Sequence, residues 1–143
     1  MLRPSSFIGV KDYRLDKLSV ILYEYALSQS EISSVVIEKY KNAPYRAPMI
    51  IILVSAYKEH PKVPSIEQKL STATAAQNII LALNAMKYSS IWRTGKLAFN
   101  KSIQKALGLN DNQEILGYLY IGTEVGKTKK IPELDIDNFV SYL

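Results

Sequence analysis

The spacing of apolar residues predicts two helices in the first third of the chain. Residues 14–28 carry apolar side chains at the 3.6-residue period of an α-helix. One face of this helix holds Leu15, Leu18, Ile21, Leu22 and Tyr25. A second helix is predicted from Glu31 to Lys41, because Ser30 can act as its N-cap and Pro44 follows its end.

Short apolar runs predict strands. Residues 47–55 have the length and the β-branched content of a buried strand, and residues 115–122 form a second one. Phe7–Val10 is a third candidate. The tail Asp137–Leu143 is apolar and aromatic, which makes it a candidate edge strand.

The longest predicted helix runs from about Ser65 to Lys87. Ser65 and Gln68 fit a capping box, with the glutamine at the third helical position. Apolar residues cover more than one side of this helix, so both sides have to be buried. One stripe of the helix holds Ile66, Leu70, Ala73, Gln77, Ile80 and Asn84. Ala76, Ile79, Leu83 and Met86 widen it. Small residues permit close helix approach, so this helix is predicted to be central to the fold or part of a dimer interface.

The remaining segments complete an order of strands and helices. Residues 89–95 are predicted to be a connection, and Asn100 caps a short helix, Lys101–Leu107, which Gly108 closes. This order predicts an α+β or α/β fold with a small mixed sheet. The length of 143 residues, without an internal repeat, predicts one domain over residues 1–143.

Composition narrows the classes of function. The chain has no cysteine, which excludes disulfides and thiolate metal sites. Its first residues lack the apolar stretch of a signal peptide, and the longest apolar run, residues 47–54, is too short to span a membrane. We therefore expect a cytoplasmic protein without membrane association. The net charge of +5 leaves a nucleic-acid-binding domain as a hypothesis, but no known motif supports it.

Few residues fit a catalytic or metal-binding pattern. His60 is the only histidine, so multi-histidine metal sites are excluded, and the glycine-rich nucleotide fingerprints are absent. We assign no catalytic residue and no metal site. The remaining group is Trp92-Arg93-Thr94-Gly95, which combines a flat ring, a planar donor fork and a flexible backbone. It suits a flat, anionic, oxygen-rich ligand, and the alternative is a loop with one structural tryptophan.

Five segments resemble the FMN-dependent nitroreductase superfamily, in its small single-domain, YdjA-like subgroup. Val63–Ser71 resembles the K-x-P-x-x-E-Q-x-x-S start of the family's central helix, and Ala76–Ala82 the A-x-Q-N-x-x-L-A stretch that follows. Ser90–Gly95 is similar to the G-x-x-W-R-S/T-G loop of the subgroup, and Ile115–Thr123 to its I-V-G-x-L-x-I-G-T strand. Lys41–Pro48 also fits the subgroup.

The resemblance implies a nitroreductase-like α+β fold and an intertwined homodimer, with FMN at the interface and the long helix as a dimer element. NAD(P)H is the implied co-substrate, and nitro compounds, quinones or similar small molecules are the implied electron acceptors. By motif match, Arg93, Thr94 and Gly95 would line the flavin. A segment linked to nicotinamide-nucleotide binding corresponds to Leu83, Asn84, Ala85, Met86, Lys87 and Tyr88. Phosphate-binding positions correspond to Lys127, Lys129 and Lys130, for which a solvated basic loop is the alternative.

One part of the family pattern has no counterpart. Relatives begin with a helix that carries an R-R-S-type motif, whereas Arg3–Phe7 aligns only with the end of a later upstream segment. The resemblance therefore implies that arginine and serine contacts to the FMN phosphate are lacking. Such charge-assisted bonds contribute about 1.5–3 kcal/mol each, so their loss weakens FMN binding by several orders of magnitude. The alternative function is a shortened, catalytically impaired member that dimerises but binds FMN weakly or not at all.

Overall fold

A four-stranded sheet organises the fold. The structure, a computed structural model, describes residues 2–126 and 132–143. Its strands are β1 (Ser5–Lys11), β2 (Met49–Ala56), β3 (Ser89–Arg93) and β4 (Gln113–Gly122). Its helices are α1 (Tyr13–Leu27), α2 (Ser34–Lys41), α3 (Ser65–Ala85), α4 (Lys96–Phe99) and α5 (Lys101–Ala106), with 3₁₀ turns at Ala43–Arg46 and Ile136–Asn138.

The sheet is antiparallel, in the order β1-β2-β4-β3. The α+β class is confirmed, but the expected mixed sheet is wrong for the described strands. The reason lies in the position of β4. Strands β2 and β3 are joined by α3 and run in the same direction, and β4 inserts between them, so that each pairs with β4 in antiparallel fashion.

The main hydrophobic core lies between the sheet and the shorter helices. On the sheet it includes Ile50 and Ile52 of β2, which pair with Tyr120 and Tyr118 of β4. Helix α1 adds Leu18 and Leu22, and the α4–α5 segment adds Ala98 and Ile103. This packing fixes the position of the sheet, and therefore also the positions of the ends of β3 and β4.

Helix α3 contacts strands β1, β2 and β3. Only Gln68, Thr72 and Ala76 are buried, at the four-residue spacing of one helix face, and the Thr72 hydroxyl lies 2.9 Å from that of Ser5. Ile66, Leu70, Leu81 and Met86 remain 57–65% exposed. The expectation that α3 is covered on both sides is therefore not met within one protomer.

Gln68 holds the preceding loop and does not close a capping box. Pro64 occupies the N-cap position and Ser65 is already helical, one residue past the position that the box requires. The buried Gln68 amide accepts from the Lys58 backbone N–H (3.0 Å) and donates to the carbonyls of Lys58 (2.8 Å) and Val63 (3.2 Å). It therefore joins the start of α3 to the end of β2.

We expect Gln68→Ala to lower the free energy of unfolding by about 2–4 kcal/mol, because it removes three hydrogen bonds between the buried amide and the backbone of the preceding loop. Urea unfolding followed by circular dichroism measures this loss. The matched control is Asn78→Ala, which removes an exposed side-chain amide from another face of the same helix and for which we expect a change within about 0.5 kcal/mol. Equal midpoints for the two variants would show that the Gln68 network is not stabilising.

The structure confirms other predicted elements and moves some boundaries. Helix α1 and strands β1, β2 and β4 lie where predicted, and Asn100 caps α5 through bonds to the N–H groups of Ser102 and Ile103 (2.9 and 3.2 Å). Ser30 is not a helix cap, because the positive φ of Glu31 (61°) interrupts the helical backbone and α2 begins at Ser34.

Two further segments differ from the sequence-based prediction. Residues 89–93, expected to be a connection, form strand β3. The tail 132–143 contributes no strand to the protomer, where its apolar side chains stay exposed because no described residue packs on them. Within the described ranges, no helix has the length and apolar content needed to cross a membrane.

Candidate functional site

The side chain of Arg93 lies at the end of strand β3, on the same face of the sheet as the tyrosines of β4. The register pairs Arg93 with Tyr118 and Ile91 with Tyr120, and paired residues share one face. Gly95 follows with a φ of 102°, a conformation that L side chains rarely adopt. It turns the chain from the strand into α4, and no heavy atom lies within 4 Å of a Cβ built there.

Trp92 points to the opposite face and fixes β3 to β4. Its indole N–H donates to the Leu116 carbonyl (3.2 Å) at a β-bulge, where Leu116 has no partner residue in β2. Gly117 lies under the indole, so closely that an added Cβ would lie 2.1 Å from Trp92 Nε1. The tryptophan therefore has a structural role in the sheet, as in the alternative given above of one structural tryptophan. It also sets the position of the neighbouring Arg93.

Two cavities lie next to one another and share Arg46, Arg93 and Tyr120 in their walls. The larger, called the Ser89 cavity here, has a volume of about 300 Å³, and the smaller, called the Lys39 cavity, about 220 Å³. The other residues of the Ser89 cavity are Ala47, Pro48, Ser89, Ser90, Ile91, Gly122 and Thr123. Those of the Lys39 cavity are Lys39, Tyr40, Ala43, Thr94, Leu97 and Tyr118.

The electrostatics of these cavities favour anions. No aspartate or glutamate is among the described residues that line them. Burial raises the pKa of Tyr120, while the Arg46 and Arg93 guanidinium groups act in the opposite direction. Burial, and the neighbouring Tyr120, also raise the pKa of Tyr118. Both phenols are therefore protonated at neutral pH and available as hydrogen-bond donors.

The two phenols have different partners. The Tyr118 hydroxyl donates to the Leu97 carbonyl at 2.9 Å, which fixes α4 behind the turn at Gly95. The Tyr120 hydroxyl has no hydrogen-bond partner among residues 2–126 and 132–143. Of these two phenols, Tyr120 is therefore the one whose hydroxyl remains available to a ligand, and it lines both cavities.

The structure brings together only part of the predicted site. Arg93 lines both cavities and Thr94 lines the smaller one, whereas Gly95 adjoins them without lining either. The segment Leu83–Tyr88 forms the end of α3 and the following turn and lines neither cavity, although Ser89, the next residue, does. Lys127, Lys129 and Lys130 lie outside the described residues.

Arg46 and Tyr120 were not predicted as site residues. Both lie in segments that resemble the nitroreductase superfamily, which is the only sequence signal that marked them. Their convergence depends on the pairing of β3 with β4 and on the 3₁₀ turn that ends at Arg46. With guanidinium, hydroxyl and apolar groups in adjoining walls, the two cavities suit a planar ligand that carries oxygen acceptors or a negative charge.

The sequence matches the family model described as Nitroreductase family over residues 2–123. The YdjA protein of Escherichia coli (strain K12) is 31% identical over 142 residues, which cover 99% of this chain and 77% of YdjA. A Haemophilus influenzae protein is 30% identical over 146 residues, covering 99% of this chain and 78% of its own length. Both relatives are named as candidate NAD(P)H nitroreductases.

Solved structures share the fold. The nitroreductase-like family protein from Bacillus cereus superposes with a TM-score of 0.83 at 17% identity, covering 98% of this chain and 73% of that protein. The FMN-dependent nitroreductase NfnB from Mycobacterium smegmatis, solved in complex with NADPH, gives 0.67 at 15% identity, covering 97% and 78%. At these identities the likeness concerns the fold.

Proposed function

Because this chain belongs to the nitroreductase family of oxidoreductases, we propose that it is an FMN-dependent NAD(P)H oxidoreductase. In this proposal it reduces nitroaromatic or quinone-like acceptors by hydride transfer through bound flavin. The observation that carries the proposal is the position of Arg93. This arginine, in the loop that resembles the family's flavin loop, lines both anion-favouring cavities.

The donors around these cavities fit the acceptor groups of FMN. The flavin ring carries carbonyl oxygens and its side chain ends in a phosphate, both of which accept hydrogen bonds from guanidinium and hydroxyl groups. Arg93, Thr94 and Tyr120 supply such donors, and Ile91 and Pro48 supply apolar surface for a ring. The Ser89 cavity, at about 300 Å³, lies at the lower end of the usual range for ligand sites.

When bound, FMN supplies the redox chemistry, taking hydride from NAD(P)H and passing electrons to the acceptor. The chain's own residues bind and orient the ligand. Arg93 would bring a positive charge toward the ring or phosphate oxygens, and the open backbone at Gly95 permits close approach. We further propose that Leu83–Tyr88, directly before Ser89, contacts the nicotinamide nucleotide and that Lys127, Lys129 and Lys130 contact phosphate.

FMN binding tests this proposal on the 143-residue chain itself. The protein is incubated with excess FMN, freed of unbound ligand by gel filtration and examined by absorbance, and its thermal unfolding is followed with increasing FMN. We expect a retained flavin spectrum and a saturable stabilisation, about 2.7 kcal/mol at 100 times the Kd. Colourless protein with an unchanged midpoint would contradict the proposal and favour a family member that does not use flavin.

We also propose that the chain forms a homodimer through α3. The support is the exposed apolar surface on that helix, including Ile66 and Leu70, which lie one turn apart. A further exposed apolar group lies in the tail at Leu134, Ile136, Phe139 and Val140. Exposed apolar side chains that share one helix face are typical of an interface with another chain.

We expect Leu70→Glu to convert the dimer into a monomer, because a buried, unpaired carboxylate at the interface is strongly unfavourable. Light scattering after gel filtration should give twice the 16.1 kDa chain mass for the wild type and the single-chain mass for the variant. Val35→Glu, on the exposed side of α2, is the matched control and should stay dimeric. If the Leu70→Glu variant were still dimeric, α3 would not be part of the interface.

A further inference from the structure

Three cationic side chains surround the Lys39 cavity, each from a different element. Lys39 comes from α2, Arg46 from the end of the 3₁₀ turn and Arg93 from the end of β3. In the described part of the chain, none of them forms a salt bridge with a carboxylate. Together these three charges give the concave surface a positive potential, which attracts anions.

Uncharged donors complete the same cavity. Thr94 lies in the wall beside Arg93, and the Tyr120 hydroxyl has no protein partner within the described ranges. Burial keeps Tyr120 protonated despite the two guanidinium groups nearby, since its pKa is raised overall. The described lining residues thus offer ammonium, guanidinium and hydroxyl donors, and none of them carries a carboxylate that would compete for these donors.

We propose that the Lys39 cavity binds a phosphate monoester and that Arg46 is the residue that recognises it. A phosphate carries a charge of about −1.5 to −2 and three strong acceptor oxygens, which suits three cations with hydroxyl donors beside them. A carboxylate, with one charge and two oxygens, would leave most of the positive charge uncompensated. The planar fork of Arg46 can bind two phosphate oxygens at once.

The inference rests on the proposed function only for the source of the phosphate. FMN carries one that riboflavin lacks, and NADPH carries one that NADH lacks. The Lys39 cavity adjoins the Ser89 cavity through Arg46, Arg93 and Tyr120, so a ligand can extend from one into the other. Either phosphate would make the same contacts with the residues that line the cavity. Comparing FMN with riboflavin, and NADPH with NADH, shows which phosphate binds there.

The test compares the wild type with Arg46→Gln, Arg46→Lys and the control Arg14→Gln. Arg14 lies on α1 over the ring of Tyr13, outside both cavities, and its replacement causes the same change in net charge. Thermal unfolding is followed with inorganic phosphate and with chloride at equal ionic strength. Dissociation constants are then measured for FMN, riboflavin, NADPH and NADH.

We expect phosphate to stabilise the wild type and Arg14→Gln but not Arg46→Gln, with Arg46→Lys between them. For the ligand pair whose phosphate occupies the cavity, Arg46→Gln should weaken the phosphorylated member by at least about tenfold and leave the other unchanged. An unchanged phosphate response in Arg46→Gln would overturn the inference, as would an equal loss for all four ligands. If phosphate acts as expected while the wild type binds no flavin, the proposed function fails and the phosphate site stands.

Discussion

Arg93→Gln is expected to weaken FMN binding by about ten- to hundredfold. Arg93 lines both cavities, and the charge-assisted hydrogen bonds of a guanidinium contribute about 1.5–3 kcal/mol each. Glutamine keeps a polar side chain of moderate length but loses the charge and the donor fork. Titration of FMN fluorescence with protein gives the Kd of each variant.

Two controls separate the loss of binding from a loss of structure. Lys96→Gln removes a positive charge three residues further on, from a side chain that lines neither cavity, and should leave the Kd within about twofold. The thermal midpoint of Arg93→Gln without ligand should match that of the wild type, since Arg93 is an exposed side chain at a strand end. Wild-type FMN affinity in Arg93→Gln would exclude this arginine from the flavin site.

Gly117→Ala is expected to lower the free energy of unfolding by about 2–4 kcal/mol. The new Cβ would lie 2.1 Å from Trp92 Nε1 and 2.8 Å from the Arg93 carbonyl oxygen, so the side chain and the backbone of β3 both have to move. Overpacking of this kind costs about 1–3 kcal/mol, and the φ of 154° adds strain. Urea unfolding measures the difference.

Gly9→Ala is the matched control for this substitution. Gly9 also lies within a strand, but no heavy atom approaches its Cβ position within 4 Å, so the change in stability should be within about 0.5 kcal/mol. The double variant Gly117→Ala with Trp92→Ala should be less unstable than the sum of its parts, because the indole contact is gone. Additive losses, or a stable Gly117→Ala variant, would show that the bulge is not tightly packed.

Much of the secondary structure was predictable because its signal is local. The apolar period of α1, the β-branched runs of β2 and β4 and the Asn100 cap each appear within a few neighbouring residues. Strand β3 was not predicted because it has only five residues, and so short a segment carries too little sequence pattern to identify a strand. Its pairing with β4 and the Trp92 contact to the bulge join residues distant in sequence.

The site was predictable only in part for the same reason. The family resemblance led to Arg93, which the structure places in both cavities. Arg46 and Tyr120 join it through the sheet register and the 3₁₀ turn, neither of which the sequence pattern reveals. The apparent capping box at Ser65 and Gln68 shows that a matching motif can mislead. The glutamine side chain instead forms hydrogen bonds with Lys58 and Val63 in the preceding loop.

Anaerobic reduction of the FMN-loaded, 143-residue chain tests the proposed activity most directly. NADPH or NADH is added, and the absorbance of oxidised flavin is followed before and after addition of a nitroaromatic or quinone. The proposed function predicts that the absorbance falls with at least one of the two nucleotides and returns when the acceptor is added. A chain that retains flavin but leaves it oxidised with both nucleotides, or retains no flavin at all, would contradict it.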